Sequence, residues 1–291
     1  MALYLGSSKK QKVTFMGSNV KVCVGVEEKA PLSFDDCVIF SSTDTFTIAT
    51  VNSTKNWNGT LYYSTDAKTW NAWDGTGISS AESFEEQRIY MRGSGNTKIT
   101  GGGANSKNQK WVLTGKNIHC NGNIENLLDY ETVLNGEHPT MAVYAFAYMF
   151  KDCTSLITPP ELPATALTVY CYWRMFATCT NLTTAPKLPA TTLANSCYYD
   201  MFSGCANLET LPALPATTLV DSCYFGMLYG CTKIKLSRTK VNNYQTEYRI
   251  PAAGNGTAEA NSLSAMFSST GGTFAGVPAI NTVYYTENQV V

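Results

Sequence analysis

The chain has 291 residues, with 21 Lys and Arg against 22 Asp and Glu, and a net charge of −1. That balance excludes the basic field of a nucleic-acid or acidic-membrane binder, and the chain carries no apolar run of about 18 residues, which excludes a membrane-inserted helix. Only 15% of residues are charged, and Thr, Asn, Ser and Gly are abundant, a composition that suits β-rich extracellular or virion proteins.

In chain order, Leu3, Tyr4 and Leu5 precede Lys9, Lys10 and Lys12. This order of apolar and charged residues differs from a secretory signal. Residues 1–30 lack an obvious core of their own and read as an anchoring segment. Residues 31–116 read as a β-rich domain. Thr45–Val51, Gly59–Ser64, Arg88–Gly93 and Lys110–Gly115 are rich in β-branched and aromatic residues and predict strands. Gly101–Gly103 predicts a loop; without a following Lys-Ser/Thr it is no phosphate cradle. Ser64–Trp70 resembles the Asp-box turn of sialidase-type propellers, although one residue short and without its Gly, and predicts a hairpin turn.

From 149 onward the chain repeats. Met149-Phe150, Met175-Phe176, Met201-Phe202 and Met227-Leu228 recur every 26 residues. Cys153, Cys179, Cys205 and Cys231 share the period, as do Leu156, Leu182, Leu208 and Ile234, and Cys171, Cys197 and Cys223. Leu-Pro-Ala-Thr recurs at Leu162, Leu188 and Leu214. A fixed period of this length, with Leu and Cys at constant phase, predicts an α/β leucine-rich-repeat solenoid over 117–236. Cys197, Met201 and Cys205 stand at i, i+4 and i+8 and predict one buried face of a short helix. Leu208–Leu211 predicts a brief strand stopped by Pro212. No unit buries its apolar face alone, so equivalent residues must stack in columns, and the repeat cysteines are expected as buried free thiols. Their Cys-x7-Cys spacing and the absence of histidine inside the repeats argue against metal.

The pattern Met-Phe-x-x-Cys-x-x-Leu-x-x-x-Pro-x-Leu-Pro-Ala-Thr-x-Leu, at Met175–Leu193 and Met201–Leu219, resembles the BspA-like leucine-rich repeats of gut bacteria and their phages. The resemblance implies a curved solenoid used for adhesion or recognition, and brings no catalytic residue. The segment from Tyr63 through Trp73, with Tyr90–Gly93, resembles the β-domain that often precedes such repeats. Met1–Ser7 resembles the opening of many phage virion-associated proteins.

Residues 117–147 predict an atypical first unit, with a strand at 118–124 and a short helix or turn at 124–128. Residues 237–291 read as a C-terminal cap: Leu263–Phe267 echoes the repeat and Thr282–Tyr285 predicts a last strand. Lys233, Lys235, Arg238 and Lys240 read as a solvated basic face. Chemistry is sparse. His119 and His138 have no nucleophile partner at a telling spacing, and the adjacent pairs Asp35-Asp36 and Glu85-Glu86 do not converge as glycosidase carboxylates must. The expectation is a protein without catalytic residues, cofactor or metal.

Binding is the better expectation, because constant positions build the core and varying ones are free to recognise. On the strand side these are Ile157, Thr183 and Glu209, with Glu161 and Lys187. On the other side an outward column runs through Trp173, Tyr199 and Phe225, suited to stacking on sugars or partner side chains. The sequence therefore predicts a virion structural and recognition protein of fibre or decoration type. Residues 1–30 would meet other virion proteins, the repeats would meet a host-surface protein or glycan, and the assembly would be homo-oligomeric. An exported bacterial cell-surface adhesin is the alternative, and a carbohydrate-active enzyme a third reading.

Overall fold

The computed structural model describes residues 36–81, 86–101 and 109–291, all within one compact unit, Asp35–Val291. The anchoring segment expected over 1–30 lies outside the described residues, as do Asp35, Glu85, Gly102 and Gly103.

The first part is built of β1 (Val38–Ser42), β2 (Thr47–Thr50), β3 (Thr60–Ser64), β4 (Asn71–Trp73), β5 (Ile78–Ser79), β6 (Gln87–Ser94), β7 (Trp111–Thr114) and β8 (Ile118–Asn121). One sheet has the order β5-β2-β7, and a second runs β4-β3-β6-β1-β8 and takes β9 (Leu156–Thr158) at its edge. All pairs are antiparallel except β8–β9, which is parallel. The second sheet thus passes without a break into the first repeat. Alternation decides the faces: in β7, Trp111 and Leu113 are buried while Val112 and Thr114 are exposed. Trp73 stacks on Trp57 at 4.9 Å and meets Trp111 edge-on at 5.0 Å. Trp111 in turn packs on Phe150, at 6.1 Å. At the β3–β4 turn, Asp66 accepts from the Lys68 and Thr69 amides at 2.8 and 2.7 Å. Those backbone donors, with the Ser64 hydroxyl, hold its carboxyl well below the usual carboxylate range.

The repeats correct the sequence expectation. No α/β solenoid forms over 117–236: the protein is β-rich, with several small sheets. The only α-helix among the described residues is α1 (Asn126–Leu134), which precedes the repeats. Where helices were expected, the chain runs as consecutive turns. In 170–179, Tyr170, Tyr172, Arg174, Phe176 and Thr178 donate their N–H to Asn195, Cys197, Tyr199, Met201 and Ser203 of the next layer. The residues between them, Cys171, Trp173, Met175, Ala177 and Cys179, donate back three positions. Every fourth residue is left-handed: φ is 57° at Tyr170, 51° at Arg174 and 59° at Thr178. An α-helix permits none of this, because its bonds reach back four residues and its φ is uniformly negative.

The turn ribbon repeats every four residues, so Cys171, Met175 and Cys179 share one wall, with Tyr172 and Phe176 beside them, and all five are fully buried. The same phase explains the glycines. Gly204, Gly226 and Gly230 occupy left-handed positions, and a methyl group at Gly226 would collide with the Asp200 carboxylate.

Stacking places like on like. Phe146, Tyr172, Tyr198 and Tyr224 form one inner aromatic column at successive centroid spacings of 5.8, 5.7 and 5.7 Å. Phe150, Phe176 and Phe202 form a second, at 5.6 Å. The repeat cysteines are free and buried, and Cys37 and Cys120 are buried as well. In one column the thiols reach a backbone carbonyl one layer back, Cys205 Sγ to Phe176 O and Cys231 Sγ to Phe202 O at 3.1 Å each; in the other, Cys171, Cys197 and Cys223 face a carbonyl one layer forward at 4.0 Å. Burial pushes the Cys153, Cys171 and Cys205 thiols up to about 12.

The ladder outlasts the sequence period. Tyr224, Gly226, Leu228 and Gly230 donate to Ser262, Ser264, Met266 and Ser268, so the Leu263–Phe267 echo is a further layer, again of turns. The C-terminal stretch then returns along the stack. β10 (Thr210–Leu211) pairs in parallel with β17 (Gln289–Val290), and β11 (Thr218–Leu219) with β14 (Thr257–Ala258). A four-stranded sheet takes the order β13 (Thr246–Arg249), β16 (Val283–Thr286), β12 (Lys235–Ser237), β15 (Gly271–Gly272).

Two expectations follow for stability. Met201→Ala should cost about 2–5 kcal/mol in urea unfolding. Gly230→Ala should cost about 1 kcal/mol for its left-handed backbone, and Gly226→Ala more, since only there does the new methyl meet Asp200. Alkali should also unfold the protein. A thiol whose folded pKa is raised above its ordinary value of 9.0 keeps its proton in the native state and loses it in the unfolded state. Its stability contribution is therefore complete below pH 9.0 and falls away between there and about pH 12. Urea midpoints measured at pH 7 and pH 10 should fall with rising pH, and native alkylation at pH 8 should be slow.

Candidate functional site

The strand-side candidates lie together. Thr183 N–H donates to Ile157 O at 3.2 Å and Glu209 N–H to Thr183 O at 2.8 Å, so Ile157, Thr183 and Glu209 form one column across successive layers. Two concavities lie on this side of the layers, and Thr183 and Glu209 line only the second. One, of about 550 Å³, is walled by Pro159, Pro160, Pro163, Pro186 and Pro189, with Glu161 and Lys187 lining it. The other, of about 940 Å³, is polar: Thr183, Glu209, Lys233 and Lys235 face Glu287 and Asn288 across it. Lys233 pairs with Glu209 and Lys235 with Glu287, at 2.6 Å each. Lys233 and Lys240 are exposed and Lys235 is half-buried, in keeping with a solvated face, and Lys233 and Lys235 each stand beside an acidic partner; Arg238 covers the Phe274 ring at 5.0 Å.

Asn288 builds this basin. It is buried; its side-chain amide donates to Glu209 O at 2.8 Å and Lys233 O at 3.0 Å, while its oxygen accepts from the Lys235 amide at 2.8 Å. One side chain from the C-terminal return thus ties two layers to it. Sequence reasoning missed Glu287 and Asn288. They lie far along the chain from their partners, and the pairings of β17 with β10 and of β16 with β12 bring them alongside.

The outward column exists, but its members lean on one another. Tyr199 and Phe225 stack at 4.5 Å, and Trp173 meets Tyr148 at 4.8 Å, Tyr170 at 5.2 Å and Tyr199 at 6.4 Å. Tyr144 and Tyr170 lie parallel at 4.8 Å. All three candidates are half-buried, so they present ring edges and partial faces as a continuous aromatic strip. Beside it, the Arg174 guanidinium holds Asp200 Oδ2 at 2.7 and 3.0 Å. Burial pushes the Asp200 carboxyl up, and the contact with Arg174 opposes that shift.

The histidines have partners. His119 Nδ1 lies 3.1 Å from the Thr158 hydroxyl, and His138 Nδ1 lies 2.7 Å from Glu125 Oε2. Glu125 is buried, which pushes its carboxyl up, and the pair opens on a cavity of about 220 Å³ beside Thr165 and Thr168. Among the described residues no group of three or more His, Cys, Asp or Glu is placed to hold a metal ion, and no helix is long and apolar enough to cross a membrane. In comparison with known proteins, the chain matches no family model, no curated relative and no solved structure.

Arg174→Ala should strand the buried Asp200 carboxylate and cost about 1–3 kcal/mol at pH 7. The loss should shrink as pH falls, because a carboxyl raised in the folded state takes up its proton there first. Asp200→Asn in the Arg174→Ala background should restore part of the loss at pH 7. Urea titrations at pH 7 and pH 5 check both.

Proposed function

We propose that this chain is a non-enzymatic recognition protein that attaches to a host-surface protein or glycan, carried on a phage virion as a fibre or decoration component. The observation that supports it is the division of labour within the layers. Cys, Met, Leu and the inner aromatics are fixed in phase and buried, while the positions that change, Ile157, Thr183 and Glu209 on one side and Trp173, Tyr199 and Phe225 on the other, all reach the surface or its rim. A scaffold that holds its core constant and varies its outward positions is suited to binding. In this reading residues 1–30 engage other virion proteins in a homo-oligomeric assembly, and many copies supply avidity to individually weak contacts. The likeness of Met175–Leu193 and Met201–Leu219 to repeats of bacterial surface proteins equally suits an exported cell-surface adhesin, and the surfaces used would be the same.

Replacing Trp173, Tyr199 and Phe225 together by Ala should leave the chain folded, by its unfolding transition, and weaken attachment of the full-length protein to host cells by roughly tenfold or more. Deleting residues 1–20 should abolish particle incorporation and leave cell attachment of the free chain intact. Full attachment by the triple variant would refute the assignment of the aromatic strip.

A further inference from the structure

We propose that the polar basin between the strand-side column and the C-terminal return is a binding site for a neutral oligosaccharide. The proposal rests on the recognition reading above and narrows it to one ligand class and one place.

Four features of the basin carry the argument. Its size, about 940 Å³, falls within the range of about 300–1,000 Å³ typical of small-molecule sites. Its charge cancels locally: Lys233 is paired with Glu209 and Lys235 with Glu287, each at 2.6 Å. Two cations and two anions on one rim leave little net field to draw a charged ligand. The lining chemistry is of mixed type, with hydroxyls at Thr183 and Thr184, amides at Asn242, Asn243, Gln245 and Gln289, and the carboxylates and ammonium groups of the rim. Sugar hydroxyls donate and accept at once, so they match a wall that offers both, whereas a ligand with acceptors alone would leave the carboxylates unmatched. Finally, the backbone is already used. The Glu209 and Lys233 carbonyls accept from the Asn288 amide, and the Glu209 N–H is given to Thr183 O. A peptide adding as a strand would need those groups free; a ligand that reads side chains does not.

The rigidity of the basin supports the same conclusion. Asn288 is buried and makes bonds to both walls, and Thr286 Oγ1 donates to Lys235 O at 2.7 Å. The rim groups are therefore held at fixed separation before any ligand arrives, which lowers the ordering cost of binding.

The test uses the full-length chain. Linear glucose, mannose, galactose and N-acetylhexosamine oligomers are titrated by calorimetry, with an oligogalacturonate and a sialylated oligosaccharide as anionic comparisons. At least one neutral oligomer should bind, with an affinity nearly unchanged between low and high salt. Glu209→Gln and Glu287→Gln, at exposed rim positions, should each weaken it roughly tenfold without moving the unfolding midpoint. Thr183→Val is the third variant and should weaken it as well. Failure of every neutral oligomer to bind at millimolar concentration overturns the proposal. So does binding that none of the three variants weakens, or a preference for the anionic oligomers that vanishes with salt. Cell attachment that survives both Gln variants but is lost in the Trp173, Tyr199 and Phe225 triple variant would overturn this site and leave the recognition reading standing. An unmodified chain that attaches to no cell would count against that reading, whatever the basin binds.

Discussion

Everything in the repeats depends on how the backbone amides between 144 and 268 are shared. In the turn ribbons, such as 170–179, alternate amides bond back three residues and close a turn, and the ones between bond forward to the next layer. Buried amides must be paired, and this alternation pairs them without a helix or a long strand. It also fixes the geometry. Because inter-layer bonds fall on every second residue, successive layers cannot rotate against one another, and side chains at one phase are forced onto their equivalents. The inner aromatic columns and the cysteine columns are consequences of that register.

The cysteines fit a narrow requirement. Their column needs a small apolar body, since every one is buried, yet it also faces carbonyls such as Phe176 O and Phe202 O that accept a weak donor. Alanine would leave the carbonyl without that contact, and serine would add a stronger polar group to a dry interior. The raised thiol pKa values are the counterpart of this packing: burial leaves a thiolate in these positions without solvent to stabilise it. Arg174 and Asp200 show the opposite solution on the outside of the stack, where a charge partly withdrawn from water is retained by pairing across layers.

The phase of the fold was legible in the sequence and its element type was not. Cys197, Met201 and Cys205 at intervals of four identified one buried wall, and all three are fully buried. Over nine residues, however, a four-residue turn ribbon and a helix of about 3.6 residues per turn present nearly the same spacing. What separates them is the left-handed backbone at Tyr170, Arg174 and Thr178, residue types that give no sign of it. Gly204, Gly226 and Gly230 at the matching phase were the available clue. Of the candidate residues, Ile157, Thr183 and Glu209 lie in one column and Trp173, Tyr199 and Phe225 in another. The second wall of the basin escaped notice because Glu287 and Asn288 belong to no repeat. The pairing of Lys235 with Glu287 was hidden for the same reason, whereas Lys233 pairs with Glu209 of the preceding layer.

The forward-bonding amides all point the same way. Within the turn ribbons 144–152, 170–178, 196–204 and 224–230 each donates toward the C-terminal neighbour, so their peptide dipoles add along the stacking direction as they do along a helix axis; on the strand side the Thr183 and Glu209 amides run the other way. The ribbon side of the stack is thus electrically polar, with a carbonyl end and an amide end. At the carbonyl end Ala145 O accepts from the Ile99 and Thr100 amides, and Met149 O from the Trp111 amide. At the far end the Phe267 amide finds Gly276 O. The β-rich half is therefore a terminator of defined polarity: it supplies donors to a surface made of acceptors. Reversed, it would present the wrong groups, and this gives the order of the two parts along the chain a physical reason.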